Sequence, residues 1–194
     1  FLISALIIKN FDIDFLTNTI LVTASIYLFL VTLRDFFVKE HTKLSQKIAH
    51  FGFSVLILSI VLNNIFSTEI ITNMKIGETF NSNKIQINFE IFEKKNINNY
   101  DSIIGQFKIK NSNGSTDVLK PELRIYNQPN IVTSEAYIKT NLFTDKFMTM
   151  NLVQNQDYFN IRYQTKPLMI WIWLSVLMIS FGAILSLFKN KNEI

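Results

Sequence analysis

The sequence has no cysteine, only 5 glycines and 3 prolines among 194 residues, and only 18% charged residues. Without thiols, a disulfide framework, a zinc–cysteine site and a cysteine nucleophile are excluded. The few glycines exclude a fibrous repeat, and the high hydrophobic share excludes a disordered chain. Apolar residues are abundant instead: 48% of the chain is hydrophobic, 18 residues are Phe, and the mean hydropathy is +0.22. These values predict a membrane protein.

Three apolar runs approach the roughly 20 residues that a helix needs to cross a hydrocarbon core of about 30 Å. They cover residues 15–33, 48–66 and 167–188, and Pro167 suits the first turn of the third helix. A shorter run at 1–8 is predicted to be the end of a helix truncated on its N-terminal side. We therefore expect the chain to be the C-terminal part of a longer protein.

Residues 67–166, between the second and third spans, are predicted to form an all-β domain. Apolar and polar residues alternate there in three runs, as in strands with one buried face. The apolar members are Ile85, Ile87, Phe89 and Ile91; Met148, Met150 and Leu152; and Phe159, Ile161 and Tyr163. Asn113-Gly114 indicates a hairpin, because both residues tolerate the positive φ of a tight turn. A small antiparallel sandwich or barrel is expected.

The predicted fold class is a membrane α-helical bundle segment, with three complete transmembrane helices plus a truncated one and an inserted all-β extracytoplasmic domain. The predicted inner basic loop at 34–47 carries four Lys or Arg residues and the inner tail at 189–194 carries two. Short basic segments stay on the inner side, which leaves the β domain outside. Trp171 and Trp173, with Tyr163 nearby, fit an aromatic belt at the outer end of the third span. The net charge of +4 is then a topology signal and implies no nucleic acid.

His50 lies about one turn inside the inner end of the second span. An ionisable residue at membrane depth is costly, so it is a candidate functional residue. The alternative is an interfacial histidine that reaches water or bonds a neighbouring helix, and the residues alone leave both open. Imidazole is a common axial ligand of haem iron. In one helix His41 and His50 would lie roughly 13.5 Å apart along the axis, too far to share an iron. Any second ligand must come from elsewhere.

These residues do not indicate any other kind of catalytic site. Neither histidine has the spacing of a zinc protease or of a serine triad. The carboxylates of the β segment are expected to be structural, because carboxylates on solvated strand faces are common. They include Glu78, Glu90, Glu122 and Glu135. No catalytic residue is therefore assigned.

A set of motifs occurs in order over residues 15–188. The motifs are Lys47-Ile-Ala-His-Phe-Gly52, Met74-Lys-Ile-Gly-Glu78, Pro121-Glu-Leu-Arg-Ile-Tyr126, Thr133-Ser-Glu-Ala-Tyr-Ile138, Leu142-Phe-Thr-Asp145, Ile161-Arg-Tyr163 and Lys166-Pro-Leu-Met-Ile-Trp-Ile-Trp173. Together they resemble the C-terminal part of the CcmF/NrfE-type family, in which CcmF is the haem lyase component of cytochrome c maturation.

The resemblance implies a polytopic membrane protein that takes haem from a haem chaperone and attaches it to the Cys-x-x-Cys-His segment of apocytochrome c. By the match of the Ala-His-Phe-Gly motif, His50 is an axial ligand of a membrane b-type haem, with the second ligand outside this chain. The family's tryptophan-rich outer loop and its other histidines do not occur in these residues. The chain alone is therefore expected to be part of a haem lyase and not catalytic by itself.

The resemblance also implies partners and a location. The partners are the haem chaperone, apocytochrome c with its thiol-reducing and presenting subunits, and the membrane. The expected location is the bacterial inner (plasma) membrane with a periplasmic β domain, or alternatively the mitochondrial inner membrane. A competing hypothesis is a non-catalytic membrane-anchored β module that docks or stabilises an assembly complex. A tryptophan-rich loop and further membrane histidines upstream of Phe1 would favour the lyase.

Overall fold

The computed structural model of the chain describes residues 15–38, 43–82, 85–112, 114–153 and 157–189. The predicted helix end at 1–8, His41 and all but the first residue of the predicted tail lie outside these ranges. The chain divides into two compact units. The helical unit contains the residues up to Ser67, residues 141–144 and the residues from Pro167 onward, and the β unit contains residues 68–140 and 145–166.

The described residues of the helical unit form three helices, α1 (Phe15–Phe37), α2 (Leu44–Phe66) and α3 (Met169–Lys189). Each is long and apolar enough to cross a membrane. Both α1 and α2 extend into the segment predicted as an inner loop at 34–47. Basic residues at helix ends keep a helical backbone while their long side chains reach water, so the end of an apolar run does not mark the end of a helix. The Nζ of Lys47 donates a hydrogen bond to the Val38 carbonyl at 2.9 Å.

In the β unit, the residues that the structure describes form ten strands in two sheets. The strands are β1 (Thr68–Met74), β2 (Thr79–Asn81), β3 (Ile85–Ile97), β4 (Tyr100–Asn111), β5 (Thr116–Leu119), β6 (Glu122–Asn127), β7 (Asn130–Glu135), β8 (Tyr137–Thr140), β9 (Thr144–Leu152) and β10 (Phe159–Pro167). One sheet has the order β1-β10-β9-β8, and the other has the order β2-β3-β4-β6-β7 with β5 also paired to β4. The sheets are antiparallel; β1 pairs with β10 from Thr68↔Thr165 to Met74↔Phe159.

Both sheets contribute side chains to one apolar core, which makes the β unit a sandwich. The buried members are Met74, Ile87, Phe89, Phe107, Ile109, Leu119, Leu123, Met148, Met150, Ile161 and Tyr163. The rings of Phe89 and Phe107 stack with centroids 4.3 Å apart. The fold class predicted from the sequence, apolar helices with an inserted all-β domain, is thereby confirmed.

The alternation predicted for the first strand ends earlier than expected. Ile87 and Phe89 are fully buried, but Ile91 is 50% exposed. The register of β3 against β4 shifts between Phe89 and Ile91. Such a bulge inserts an extra residue, which turns the following side chains away from the face that the alternation assigns to them.

The junction between β10 and α3 differs from the sequence expectation in two ways. Tyr163 belongs to the buried core of the sandwich, so it is not part of an aromatic belt. Pro167 ends β10, and α3 begins only at Met169. Leu168 lies between them with φ of 60°, a left-handed conformation that is unfavourable for a branched side chain. The predicted Asn-Gly hairpin is present between β4 and β5 with Gly114 at φ of 80°, while Asn113 lies outside the described residues.

Candidate functional site

His50 is an exposed residue in the second turn of α2. The helix begins before it, where the Gln46 N–H bonds the Lys43 carbonyl at 3.0 Å and the Gln46 side chain accepts from the Lys43 N–H at 3.4 Å. This reciprocal cap closes the first turn of α2. His50 thus lies in a regular helix rather than in a loop, and this gives its imidazole a defined direction.

One side of α2 packs closely against α3. A Cβ added at Gly52 would lie 3.0 Å from the Met178 Cβ, and one added at Gly182 would lie 2.8 Å from the Ala49 nitrogen and the Ser45 carbonyl oxygen. Only glycine fits at these two positions without a shift of the neighbouring helix. Small residues permit such a close approach of two membrane helices.

An adjacent side of α2 packs against α1. The Thr32 hydroxyl donates to the Ser54 hydroxyl at 2.7 Å, and the Phe51 ring lies 5.5 Å from the ring of Phe29 and 5.4 Å from that of Phe36. Both hydroxyls also have carbonyl partners within their own helices, and a hydroxyl pair of this kind links neighbouring membrane helices.

These contacts fix how α2 is rotated about its axis. At about 100° per residue, His50 lies on the side of α2 opposite Gly52 and hence opposite α3. The same side carries Phe53, which is 51% exposed. Within the Ala49-His50-Phe51-Gly52 motif, three residues pack against α1 or α3 and the histidine alone is exposed.

His50 is the one predicted site residue, and the described residues bring no second ligand to it. Within the ranges that the structure describes, no group of three or more His, Cys, Asp or Glu side chains is arranged to hold a metal ion. His41 lies outside those ranges. The exposed imidazole can serve as one ligand of an iron held partly by other protein segments, and the apolar side chains beside it suit a flat apolar group.

An apolar groove of about 290 Å³ lies elsewhere in the helical unit, between the three helices. Its walls are formed by side chains of the three helices together with Phe143 and Leu168, and Ser59 is its polar member; the helix residues are Phe29, Phe51, Val55, Leu58, Trp171, Leu174 and Met178. His50 does not line this groove. The sequence analysis did not identify it, because it requires the relative rotation of three helices that no single periodic pattern specifies.

The carboxylates considered in the β unit have protein partners. The Glu122 carboxylate accepts from Arg124 at 3.1 Å and from Ser102 at 2.8 Å, and Arg124 lies 3.7 Å from Glu135. The Arg124 hydrogen bonds lower the pKa of Glu122 more than its partial burial raises it. Glu90 accepts from Gln106 at 2.8 Å, and Glu78 accepts from the Lys75 N–H at 2.7 Å. These roles are structural.

A further charged cluster was not foreseen from the sequence. Asp117 on β5 is buried and accepts hydrogen bonds from Lys139 at 2.6 Å, from Asn111 at 3.2 Å and from Lys146. Burial opposes ionisation of Asp117, but the hydrogen bonds from its cationic and amide partners outweigh it, so its pKa falls to about 2. Burial raises the pKa of the nearby Tyr163 phenol to about 12. The cluster joins strands distant in sequence, so no local pattern could have revealed it.

Apolar helices with an inserted antiparallel sandwich define a class of membrane protein that carries a β domain between two membrane helices. Residues 65–167 match the family described as the CcmF C-terminal beta-sandwich. This match covers more than half of the chain, and the chain belongs to the CcmF family. The resemblance to the CcmF/NrfE-type family that the sequence motifs indicated is thus confirmed.

Individual relatives agree with this family. The chain is similar to the cytochrome c-type biogenesis protein NrfE of Haemophilus influenzae, with 24% identity over 90% of this chain and 28% of that protein. It is also similar to the cytochrome c-type biogenesis protein CcmF of Escherichia coli, with 25% identity over 74% of this chain and 22% of that protein. A solved structure titled "Cytochrome c Heme Lyase CcmF" has the same fold over 93% of this chain and 32% of its own, with a TM-score of 0.68 and 13% identity. The chain thus spans less than a third of the length of these relatives.

Proposed function

We propose that this chain is the C-terminal portion of a cytochrome c haem lyase that takes haem from a haem chaperone and attaches it covalently to the Cys-x-x-Cys-His segment of apocytochrome c. Within that protein, His50 supplies one axial ligand of a b-type haem in the membrane. The observation that carries the proposal is the exposed imidazole on the side of α2 opposite α3. Relatives named as cytochrome c-type biogenesis proteins support the general role.

The residues present are suited to one half of a haem site. The His50 ring is available as a ligand, and Phe53 on the same side of α2 offers apolar surface to a macrocycle and excludes water from it. The haem iron would supply one-electron redox chemistry. α2 holds the His50 imidazole at a fixed depth in the membrane and in a fixed direction. The second ligand and the attachment reaction belong to parts of the longer protein outside this chain.

The location follows from the distribution of basic residues. Arg34, Lys43 and Lys47 lie at neighbouring ends of α1 and α2, which we assign to the inner side of the membrane. The β unit then lies on the outer side, in the periplasm of a bacterium, and the relatives named above are bacterial. The mitochondrial inner membrane is the alternative location. The proposed partners are the haem chaperone, apocytochrome c and its thiol-reducing and presenting subunits.

The ligand assignment is tested by visible spectroscopy of the purified full-length protein. We expect His50→Gly to lose the b-type haem spectrum, and added imidazole to restore it by entering the vacated position. Asn64→Ala, an exposed position on the same side of α2 but about 21 Å along the helix axis from His50, is the matched control and should retain the spectrum. An unchanged haem spectrum in His50→Gly would contradict the ligand role.

The second candidate function is a non-catalytic membrane-anchored β module that docks or stabilises an assembly complex. It is favoured by the β unit, where the carboxylates considered have partners of their own and are occupied in structural contacts. The two functions can be distinguished by measuring cytochrome c maturation in cells. A full-length His50→Gly variant that retains normal maturation would favour the docking module, whereas loss of maturation together with haem would favour the lyase.

A further inference from the structure

The turn between β8 and β9 belongs to the helical unit and presents two large apolar side chains. Asn141–Thr144 groups with the helices rather than with the sandwich. Leu142 is 60% exposed and Phe143 is 67% exposed. Adjacent, strongly exposed Leu and Phe side chains at the tip of a turn are costly in water.

Two hydrogen bonds attach this turn to the start of α3. The Leu168 N–H donates to the Phe143 carbonyl at 2.8 Å, and the Trp171 indole N–H donates to the Leu142 carbonyl at 2.9 Å. Leu168 adopts its unfavourable φ of 60° at this point. Strain in a non-glycine residue persists where the surrounding contacts require it. The turn is therefore held at the level where a membrane-spanning helix begins.

Six of the eight backbone polar groups of the turn have partners within the protein. The Asn141 side-chain oxygen accepts from the N–H groups of Phe143 at 3.0 Å and Thr144 at 2.8 Å, and the Asn141 N–H donates to the Thr144 carbonyl at 3.3 Å. With the bonds from Leu168 and Trp171, six backbone groups of this four-residue turn are satisfied without water. Non-helical backbone is tolerated at membrane depth only when its polar groups are satisfied in this way.

The aromatic residues nearby suit the membrane–water interface. Trp171 is 38% exposed and Trp173 is 66% exposed, both in the first turns of α3. Tryptophan concentrates at this level of a bilayer, because its ring is apolar and its N–H needs a polar partner. Here the Leu142 carbonyl is the partner of the Trp171 N–H, which ties the turn and the helix to the same depth.

We propose that the Leu142-Phe143 turn inserts into the lipid bilayer at the end of the membrane where α3 begins, and forms a point of membrane contact in addition to the spanning helices. The occupant of this surface is lipid at the boundary between headgroups and acyl chains. The inference does not depend on the haem-lyase function, because it uses only the turn, α3 and the bilayer.

The test is electron paramagnetic resonance of a nitroxide label. The sequence contains no cysteine, so Phe143→Cys adds a single thiol to this part of the protein. The full-length protein, with any other cysteines removed, is labelled and reconstituted into vesicles of phosphatidylcholine and phosphatidylglycerol. Collisions with oxygen report lipid, and collisions with a water-soluble nickel chelate report water. A label at Phe181, which is 54% exposed within α3, gives the lipid reference.

We expect the label at position 143 to collide several-fold more with oxygen than with nickel, as at position 181 but closer to the surface. Predominant collision with nickel would overturn the proposal, because the turn would then lie in water. Low collision with both reagents would overturn it as well, because another protein segment would then cover the turn.

A second variant tests the attachment of the turn to α3. Trp171→Phe keeps an aromatic ring but removes the indole N–H that bonds the Leu142 carbonyl. We expect it to increase the mobility of the label at position 143 and to reduce its oxygen-to-nickel collision ratio. Trp173→Phe is the matched control and should leave both values unchanged. Equal spectra for the two variants would overturn the role assigned to the Trp171 hydrogen bond.

Discussion

The helical unit and the β unit bury their apolar residues to very different extents. Eleven buried hydrophobic side chains form one core in the β unit, whereas only 28%, 28% and 11% of the residues in the spans of α1, α2 and α3 are buried. The sandwich therefore carries its own hydrophobic core, as a domain in water must. The helices leave most of their apolar surface for lipid or for other segments of a longer protein.

The two units also satisfy their polar groups differently. In the helices, hydroxyls donate to carbonyls of the same helix, as Thr23 does to Thr19 at 2.7 Å and Ser175 to Ile172 at 2.7 Å. In the β unit, charged groups from distant strands meet, as Asp117 and Lys139 do. The contrast indicates that close backbone contact stabilises the helical unit, while buried side chains and paired charges stabilise the sandwich.

The largest expected effect comes from the sandwich core. Phe89→Ala removes a fully buried ring stacked on Phe107, and we expect a loss of about 3–5 kcal/mol in the free energy of unfolding. Phe92→Ala, on the same strand but 42% exposed, should cost less than about 1 kcal/mol. Guanidinium unfolding of the full chain in detergent, followed by the circular dichroism of the strands, measures both. Equal losses would mean that the buried core stabilises the sandwich no more than its exposed surface does.

The stability of the helical unit should be most sensitive to side-chain volume that is added between α2 and α3. Gly182→Val places side-chain atoms where a Cβ alone would lie 2.8 Å from the Ala49 nitrogen, so α2 and α3 must separate, at about 3 kcal/mol. Ala183→Val, at the exposed neighbouring position, should change stability little. Thermal unfolding of the helices in detergent gives the comparison. A Gly182→Val variant as stable as Ala183→Val would mean that close helix contact is not what stabilises this unit.

The charged cluster predicts a pH dependence confined to the sandwich. Asp117 has a pKa of about 2 in the folded chain against an ordinary 3.8, so its stabilising contribution is complete above pH 3.8 and is lost as the pH falls toward 2. Asp117→Asn should cost about 2 kcal/mol at neutral pH and weaken this acid sensitivity. Glu93→Gln, in an exposed pair with Lys95, is the control. An unaltered acid transition in Asp117→Asn would exclude the cluster as its cause.

The smallest effect is expected at Leu168. Both Leu168→Gly and Leu168→Ala remove its side chain, but only glycine adopts φ of 60° without strain. The glycine variant should therefore be the more stable of the two by about 1 kcal/mol, the reverse of their order in an ordinary helix. Thermal unfolding of both variants in the same detergent tests this. If the alanine variant is instead the more stable of the two, the backbone at position 168 is not strained in the folded protein.

Much of the fold was predictable, because its signals are local. Apolar runs of sufficient length indicated the three helices, and period-two alternation indicated strands at Ile87 and Phe89, at Met148 and Met150, and at Ile161 and Tyr163. The misassignments also have local causes. A bulge exposes Ile91, and Tyr163 belongs to a strand that continues as far as Pro167, close to the apolar run of α3.

The candidate site was predictable only in part. The sequence indicated His50, since an imidazole in an apolar run is unusual. Its direction depends on Gly182, which lies 132 positions later in the chain and contacts Ala49 and Ser45. The Asp117 cluster and the attachment of Phe143 to Leu168 likewise join residues far apart in sequence. Such pairings follow from the folded topology and have no local sequence signal.

The close contact at Gly52 has a consequence for insertions and deletions. Gly52 follows His50 by two positions, so the two directions differ by about 200° around the helix axis. One residue gained or lost between them would turn the imidazole by about 100° while the glycine kept its place against Met178. We therefore expect natural variants of this protein to preserve the His-x-Gly spacing, and sequencing of such variants can test it.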